Sequence, residues 1–291
     1  MNPELKKQIK EIQAGFSLIE MLIVLLIGGI IMLGAVTALK VYAEAAASAL
    51  THARMAAIDN AIGQYQLQNG HYPFPASLKA PVDDPAGHYG VVGAVGTPGI
   101  FRPVAVNSPN GGRVDIGTVP TRGLYLQDED MTDAWGDRFI YAVTEKLTAS
   151  ATYNPSKGNI CVKDSTGIQD VALPACQAYY VLISLGADRV GAYSSGSTIG
   201  RPCNAATLEG QNCKYNLGKG KFIMTILNSG NGANTFDDIV IFHAAGPQGL
   251  APSGMTALFA SPPGCVAKGW VPAANPGQLT PPAGTIYCQK Q

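Results

Sequence analysis

The chain has 291 residues, enough for one large domain or two small ones. Hydrophobic residues make up 46% of it and charged residues only 14%, and the formal net charge is zero; soluble domains ordinarily carry roughly 25% charged residues. This balance excludes a global positive field that would gather nucleic acid or anionic lipid, so charge gives no reason to expect a nucleic-acid partner.

The first fifteen residues, "MNPELKKQIKEIQAG", carry Lys6, Lys7 and Lys10. From Phe16 to Leu39 the only charge in 24 residues is Glu20, and about 20 apolar residues suffice to span a bilayer as a helix. The positive-inside tendency holds the lysines in the cytoplasm and sends the rest of the chain outward. An ordinary secretory signal places its small-residue cleavage site after the apolar stretch. Here the small pair Ala14-Gly15 precedes it, so a cut there removes the basic leader and leaves the apolar helix on the product. A carboxylate inside such a helix costs about 2.5–3.5 kcal/mol on insertion scales and calls for a partner. Cleavage after Gly15 would supply one, the new α-amine of Phe16. That amine can meet Glu20 within one helix, as an i,i+4 neighbour, or between two subunits. The simpler alternative is a signal anchor whose Glu20 reaches the interface.

The stretch "GFSLIEMLIVLLI", residues 15–27, resembles the class III signal of type IV pilins and type II secretion pseudopilins. The resemblance implies that a prepilin peptidase cuts between Gly15 and Phe16 and methylates the Phe16 amine. It also implies that Glu20 meets the amine of a neighbouring subunit during assembly. Many members of that family carry a proline in mid-span; this chain has none between Phe16 and Gln68. Gly28, Gly29 and Gly34 are the weak points instead, since Gly lowers helix stability by about 1 kcal/mol relative to Ala.

Beyond the apolar run the alanine-rich stretch 40–69 continues the helix, with Ile58, Ile62 and Tyr65 at helical spacing. Asn69-Gly70 supplies a stop, and Pro73 and Pro75 prevent resumption. The apolar stripe reads as core, and His52 as an ordinary helix residue. The head then shows four blocks similar to major pseudopilins of the GspG-like type: "AIGQYQLQNGHYPFPASLKA" at 61–80, "TDAWGDRFIYAV" at 132–143, "YYVLISLGAD" at 179–188 and "FDDIVIF" at 236–242. In the second block Ala134 stands where that family has a proline. Together the four blocks cover 49 of the 291 residues, about a sixth of the chain.

Independently of the resemblance, "FIYAV", "AYYVLIS", "KFIMTIL" and "DIVIFH" read as strands, being short, β-branched or aromatic, and bounded by turn residues. One long helix followed by several strands predicts an α+β fold, the helix packed on a small antiparallel sheet. Trp135-Gly136 reads as a turn with an anchoring aromatic.

Asp188 follows one predicted strand and Asp237-Asp238 open another. Calcium takes six to eight oxygens from carboxylates, carbonyls and water. The resemblance implies a calcium site here, with Asp188, Asp237 and Asp238 as ligands and the Leu185 carbonyl as a further donor. The alternative is a set of turn and strand-cap aspartates, because 48 residues separate Asp188 from Asp237. "VDDPAG" and "QDEDMTD" lack EF-hand spacing and read as loops.

Six cysteines, Cys161, Cys176, Cys203, Cys213, Cys265 and Cys288, all follow the apolar helix. Without CxxC or His/Cys clusters they read as disulfides of an oxidising compartment rather than zinc ligands. Of the fifteen pairings that six cysteines allow, the sequential one is favoured on topology: 161–176, 203–213 and 265–288. Residues 244–291 contain eight prolines and seven glycines, a poor composition for regular structure.

The four histidines (52, 71, 88 and 243) are scattered, and neither a G-x-S-x-G elbow nor a phosphate-binding loop occurs. No catalytic activity is therefore expected. Three readings stand: a polymerising pilin or pseudopilin subunit, a membrane-tethered binding module or adhesin, and a tethered hydrolase. Dependence on Gly15 cleavage and on Glu20 separates the first from the others; activity of a soluble form starting near Lys40 marks the last. The favoured organisation is a leader (1–15), a transmembrane helix (16–39), its continuation into the head (40–69), an α+β pilin-like head with disulfide-stapled insertions (70–243) and a Pro/Gly-rich extension (244–291). It places the precursor in the inner membrane as a single-pass protein with an extracytoplasmic head, and later in a filament. The implied partners are further copies of itself, minor pilins or pseudopilins, the prepilin peptidase and the inner-membrane assembly platform.

Overall fold

The computed structural model describes residues 17–105, 107–167, 175–204, 206–225 and 236–244, together with the backbone of short strands at 258–259, 270–272 and 286–290. Helix α1 runs unbroken over Leu18–Asn69, about 78 Å at 1.5 Å per residue. It passes through Gly28 and Gly29 without a break. It ends at Gly70, whose φ of 74° is left-handed and whose N–H donates to the Gln66 carbonyl at 2.8 Å, the C-cap that glycine favours.

The two halves of α1 differ in what covers them. Leu18, Leu25, Ile30, Leu39 and Tyr42 are all more than 60% exposed, whereas Met55, Ile58 and Ile62 are fully buried. Among the described residues no helix is long and apolar enough to cross a membrane. The stretch 16–39 read as a span includes Phe16 and the side chains at 31, 33–35 and 37, which lie outside the described residues.

The head is built on a four-stranded sheet with order β1-β2-β4-β6, from β1 (Val114–Thr118), β2 (Ile140–Thr144), β4 (Ala178–Ser184) and β6 (Ile239–Ala244). All three pairings are antiparallel, with Ile140 opposite Ile183 and Ser184 opposite Ile239. Alternate side chains point to opposite faces of a strand, and here both faces are covered. Tyr141, Val143, Tyr180 and Leu182 face Met55, Ile58 and Ile62 of α1. Ala142, Val181, Ile183 and Val240 face a second core built from loops and from Val162, Tyr215 and Phe222. Burial on both faces explains why these strands read as continuous apolar runs rather than alternating ones.

Strand β1 escapes the sequence reading because Asp115 and Gly117 interrupt it. Asp115 is fully buried, yet it receives the Arg102 Nε–H at 2.5 Å. Gly117 is needed for close approach, since a Cβ there would collide with the Ala76 carbonyl. Beside the expected antiparallel sheet, β3 (Cys161–Lys163) and β5 (Lys221–Ile223) form a separate parallel pair. Parallel neighbours need a long crossover, and the chain supplies one through β4 and the Cys203–Cys213 loop. Strand β5 ends at Ile223, short of the "KFIMTIL" expectation, whose last two residues lie outside the described set. The extension also holds regular structure that its composition argued against. Strands β7 (Leu258–Phe259), β8 (Trp270–Pro272) and β9 (Ile286–Lys290) form an antiparallel sheet of order β7-β9-β8. Pro and Gly limit element length, and these strands are only two to five residues long, β8 ending on Pro272.

Candidate functional site

Gly15 and Phe16, the expected processing residues, lie outside the described residues. Glu20 sits exposed in the first turn of α1, and its Oε2 accepts the Ser17 backbone N–H at 3.4 Å. In the single chain this carboxylate is therefore turned back towards the start of the helix, where a negative charge meets the helix dipole favourably.

The second candidate lies at one end of the sheet. The chain leaves β4 through Leu185-Gly186-Ala187 to Asp188, and Asp237 leads into the adjacent β6. The sheet thus joins two residues 49 positions apart: Asp237 Oδ2 accepts the Asp188 N–H at 2.8 Å. Gly186 (φ 68°) is required there, because a Cβ would collide with Asp237 Oδ1. Of the expected ligand set, Asp188 and Asp237 come together, Leu185 packs its side chain into the core, and Asp238 is turned elsewhere. Asp238 is buried and its Oδ2 accepts the Asn212 amide at 2.7 Å. The two aspartates lie in the segment just before β6, and there their carboxylates take different partners.

The third carboxylate is Glu209, which sequence reasoning passed over. Ligand oxygens of Asp188, Glu209 and Asp237 lie within 4.8 Å of one another. Glu209 is 3% exposed, and its Oε1 accepts the Asp237 N–H at 3.0 Å. It belongs to a three-residue 3-10 turn, Glu209–Gln211, inside the loop closed by Cys203 and Cys213. A lone Glu in "CNAATLEGQNC" carries no motif; only the expected disulfide singles that loop out.

Burial, with repulsion from Asp188 and Asp237, pushes the Glu209 carboxyl up to about 7. Burial likewise raises Asp237 and raises Asp238 well above the carboxylate range. Arg201 donates to the Asp188 carbonyl at 2.8 Å and stands 3.7 Å from its carboxylate. Asp237 Oδ1 is buried with no hydrogen-bond partner. A buried, orphaned oxygen among three convergent carboxylates is a donor set that suits a hard divalent cation and not a soft one.

Among the described residues there are two disulfides, Cys161–Cys176 and Cys203–Cys213. They are two of the three sequential pairs. The third, Cys265–Cys288, lies outside the described side chains. His52 is exposed on α1, and Trp135 packs against the helix-side core from a turn whose Asp133 carboxylate accepts the Trp135 and Asp137 N–H groups at 3.0 Å each.

A family model described as the prokaryotic N-terminal methylation motif matches residues 12–36. No curated protein and no solved structure matches the chain. The chain thus carries a type IV pilin-like prepilin signal, which marks it as the precursor of a type IV pilin-like protein or pseudopilin. The match bears on the signal and leaves the head to its own geometry.

Proposed function

We propose that the chain is cut between Gly15 and Phe16, methylated on Phe16, and polymerised into a pseudopilus of the major, GspG-like type that serves protein secretion. The observation carrying this reading is the exposed apolar half of α1. The described large side chains from Leu18 to Tyr42 are exposed, without cover from the head, while the single carboxylate of that stretch sits in its first turn. Such a surface is costly in water and finds cover first in the inner membrane and then among identical helices. The span 16–39 belongs to this proposal, as do the prepilin peptidase, the inner-membrane assembly platform and minor pseudopilins as partners. The acidic trio belongs to it as a calcium site held by Asp188, Glu209 and Asp237, with calcium supplying the positive charge that would lock β4 to β6.

The stapled head, with two disulfides beside exposed loops, favours a second reading: a type IV pilus for adhesion, motility or DNA uptake. Deleting the gene separates the two. Loss of secreted proteins from the medium supports the pseudopilus; loss of sheared surface filaments with intact secretion supports the pilus.

Mass spectrometry of the protein from its native membrane tests the common core. The expected product begins at N-methylated Phe16, and Gly15→Arg should leave the full precursor. A mature chain still carrying Met1 would overturn the proposal and favour a tethered binding module or hydrolase.

A further inference from the structure

A formal net charge of zero conceals a head whose two ends differ in sign. At the entry end, where α1 passes into the head, the Thr51 hydroxyl accepts the Ala134 N–H at 3.1 Å and Arg54 donates to the Thr132 carbonyl at 2.8 Å. The turn held in this way follows the 3-10 turn Asp128–Met131, and Met131 packs with Ala80 and Tyr89 of a neighbouring loop. Residues 81–90 and 121–131 thus bring Asp83, Asp128, Glu129 and Asp130 to this end, with Arg122 the one lysine or arginine among them. Arg122 is itself paired with Asp128 at 3.0 Å. At the far end, where α1 stops at Gly70, the Tyr72 N–H donates to the Leu147 carbonyl at 2.8 Å. Just before Leu147, Thr144 of β2 stands opposite Val114 of β1, and a Cβ on Gly220 would come within 2.7 Å of the Val114 side chain. The Asn110 amide donates to the Gly158 carbonyl at 2.7 Å. Residues 107–114, 144–158 and 216–221 therefore meet there and carry Arg113, Lys146, Lys157, Lys219 and Lys221. Their single carboxylate, Glu145, is held by Arg102 at 2.6 Å.

Each end also displays a large apolar side chain. Leu217 is 78% exposed in the Lys219 turn, and Tyr125 is 92% exposed in the loop before Asp128. Tyr125 has a φ of 57°, a left-handed backbone that bulky residues rarely adopt. Its neighbours impose this. Leu124 and Leu126 both pack towards the helix-side core, and their N–H groups donate to the Pro120 and Thr121 carbonyls at 3.0 and 2.9 Å. The residue between them is turned outward. Glycine would take that backbone without strain, so the single subunit gains nothing from a tyrosine there, whereas tyrosine is enriched among the anchors of protein interfaces. We propose that the entry end of one head docks on the far end of a second copy, with Tyr125 as its anchor. The Tyr125 ring lies against Leu217 and the lysine stems, and the 128–130 carboxylates meet Lys219 and Arg113. The contact is head-to-tail, so every added copy presents a fresh end and the array extends without closing. Opposite charges steer the encounter and reject the reversed orientation. The inference rests on the filament reading of the preceding subsection and adds the head surfaces that order the subunits.

Tyr125→Gly in the full chain separates folding from docking. The variant subunit in detergent should melt at or above the wild-type midpoint, because the left-handed strain is relieved. Its filament yield by shearing and microscopy should fall by about tenfold or more. A carbodiimide, which joins carboxylates to amines in contact, supplies a second readout on wild-type filaments built from mixed light and heavy-isotope subunits. Mixed-isotope peptides should link the 128–130 turn of one copy to Lys219 or Lys221 of another. If the midpoint falls instead, the exposed Lys219→Glu decides: a lowered yield supports the contact and an unchanged yield overturns it. If wild type forms no filaments, the filament reading and the inference fall together. If filaments form but Tyr125→Gly assembles at the wild-type level, or the cross-links between copies never join the two ends, the inference alone is overturned.

Discussion

At the scale of single residues, the head places charge where burial penalises it and then answers each charge locally. Arg138 is 1% exposed, and it donates to the carbonyls of Leu78, Ala80 and Ser195 at 2.8–3.0 Å, with Tyr89 beneath its guanidinium. That arginine joins three loops to the start of β2. Asp115 is the opposite case. Burial pushes it up to about 6, and the Arg102 guanidinium, shared with Glu145 at 2.6 Å, only partly offsets this. Because its folded value is raised, the folded chain holds the Asp115 proton over a range in which the unfolded chain has already released it. Stability from this group is therefore present below about pH 4 and lost as pH rises to about 6. Asp115→Asn lacks that slope. In denaturant unfolding of the full chain in detergent, the variant should gain on wild type by about 2 kcal/mol between pH 4 and pH 6. A relative loss over that window would show that the Arg102 pairing, and not burial, dominates.

At the scale of elements, α1 is one helix with two employments. Its second half is held by Met55, Ile58 and Ile62 in the core, by Arg54 donating to the Thr132 carbonyl at 2.8 Å, and by Asp59. Asp59 accepts the Tyr180 hydroxyl at 2.7 Å and stands 2.9 Å from His243 Nε2, and the Tyr180 and His243 rings stack. Burial raises the Asp59 carboxyl, but His243 and Tyr180 together bring it below its ordinary value. Its contribution is thus present above the usual carboxylate range and lost as pH falls through its lowered value. Asp59→Asn should cost about 1–3 kcal/mol at pH 7, and this cost should shrink as pH falls through the lowered Asp59 value, by the same unfolding assay. Ile58→Ala should cost about 2–5 kcal/mol, whereas Leu25→Ala, in the exposed half, should stay within about 0.5 kcal/mol. Equal costs at the two positions would mean that the halves of α1 are not distinct.

At the scale of the whole molecule, the exposed half of α1 is the part the fold leaves unfinished. Glu20 bonds the Ser17 N–H in the single chain, a contact that a neighbour's Phe16 amine could replace with a full opposite charge. Under the proposed assembly, Glu20→Val removes the carboxylate that would set one axial stagger between helices. Membrane-bound subunit, followed by immunoblot, should stay at wild-type level or rise, while filament yield by shearing and microscopy falls. Glu20→Asp should be intermediate, since the charge stays and the reach shortens. Normal filaments from Glu20→Val would remove Glu20 from assembly.

What the sequence determined by itself is what depends on neighbours along the chain. The prepilin signal is a contiguous pattern, and residues 12–36 carry it whole. The 52-residue helix follows from local periodicity and from a stop at Gly70, and the strands at 140–144, 178–184 and 239–244 from apolar runs between turn residues. Tertiary structure alone decided what depends on residues far apart. Strand β1 was illegible because its buried Asp115 makes sense only beside Arg102, and its Gly117 only beside the Ala76 backbone. In the acidic cluster, Asp238 bonds Asn212 while Asp237 stays beside Asp188 and Glu209. Glu209 arrives from another loop, one that the Cys203–Cys213 bond closes. A sheet and a covalent link bring distant residues together at no cost in local pattern, and so they leave no local trace to read.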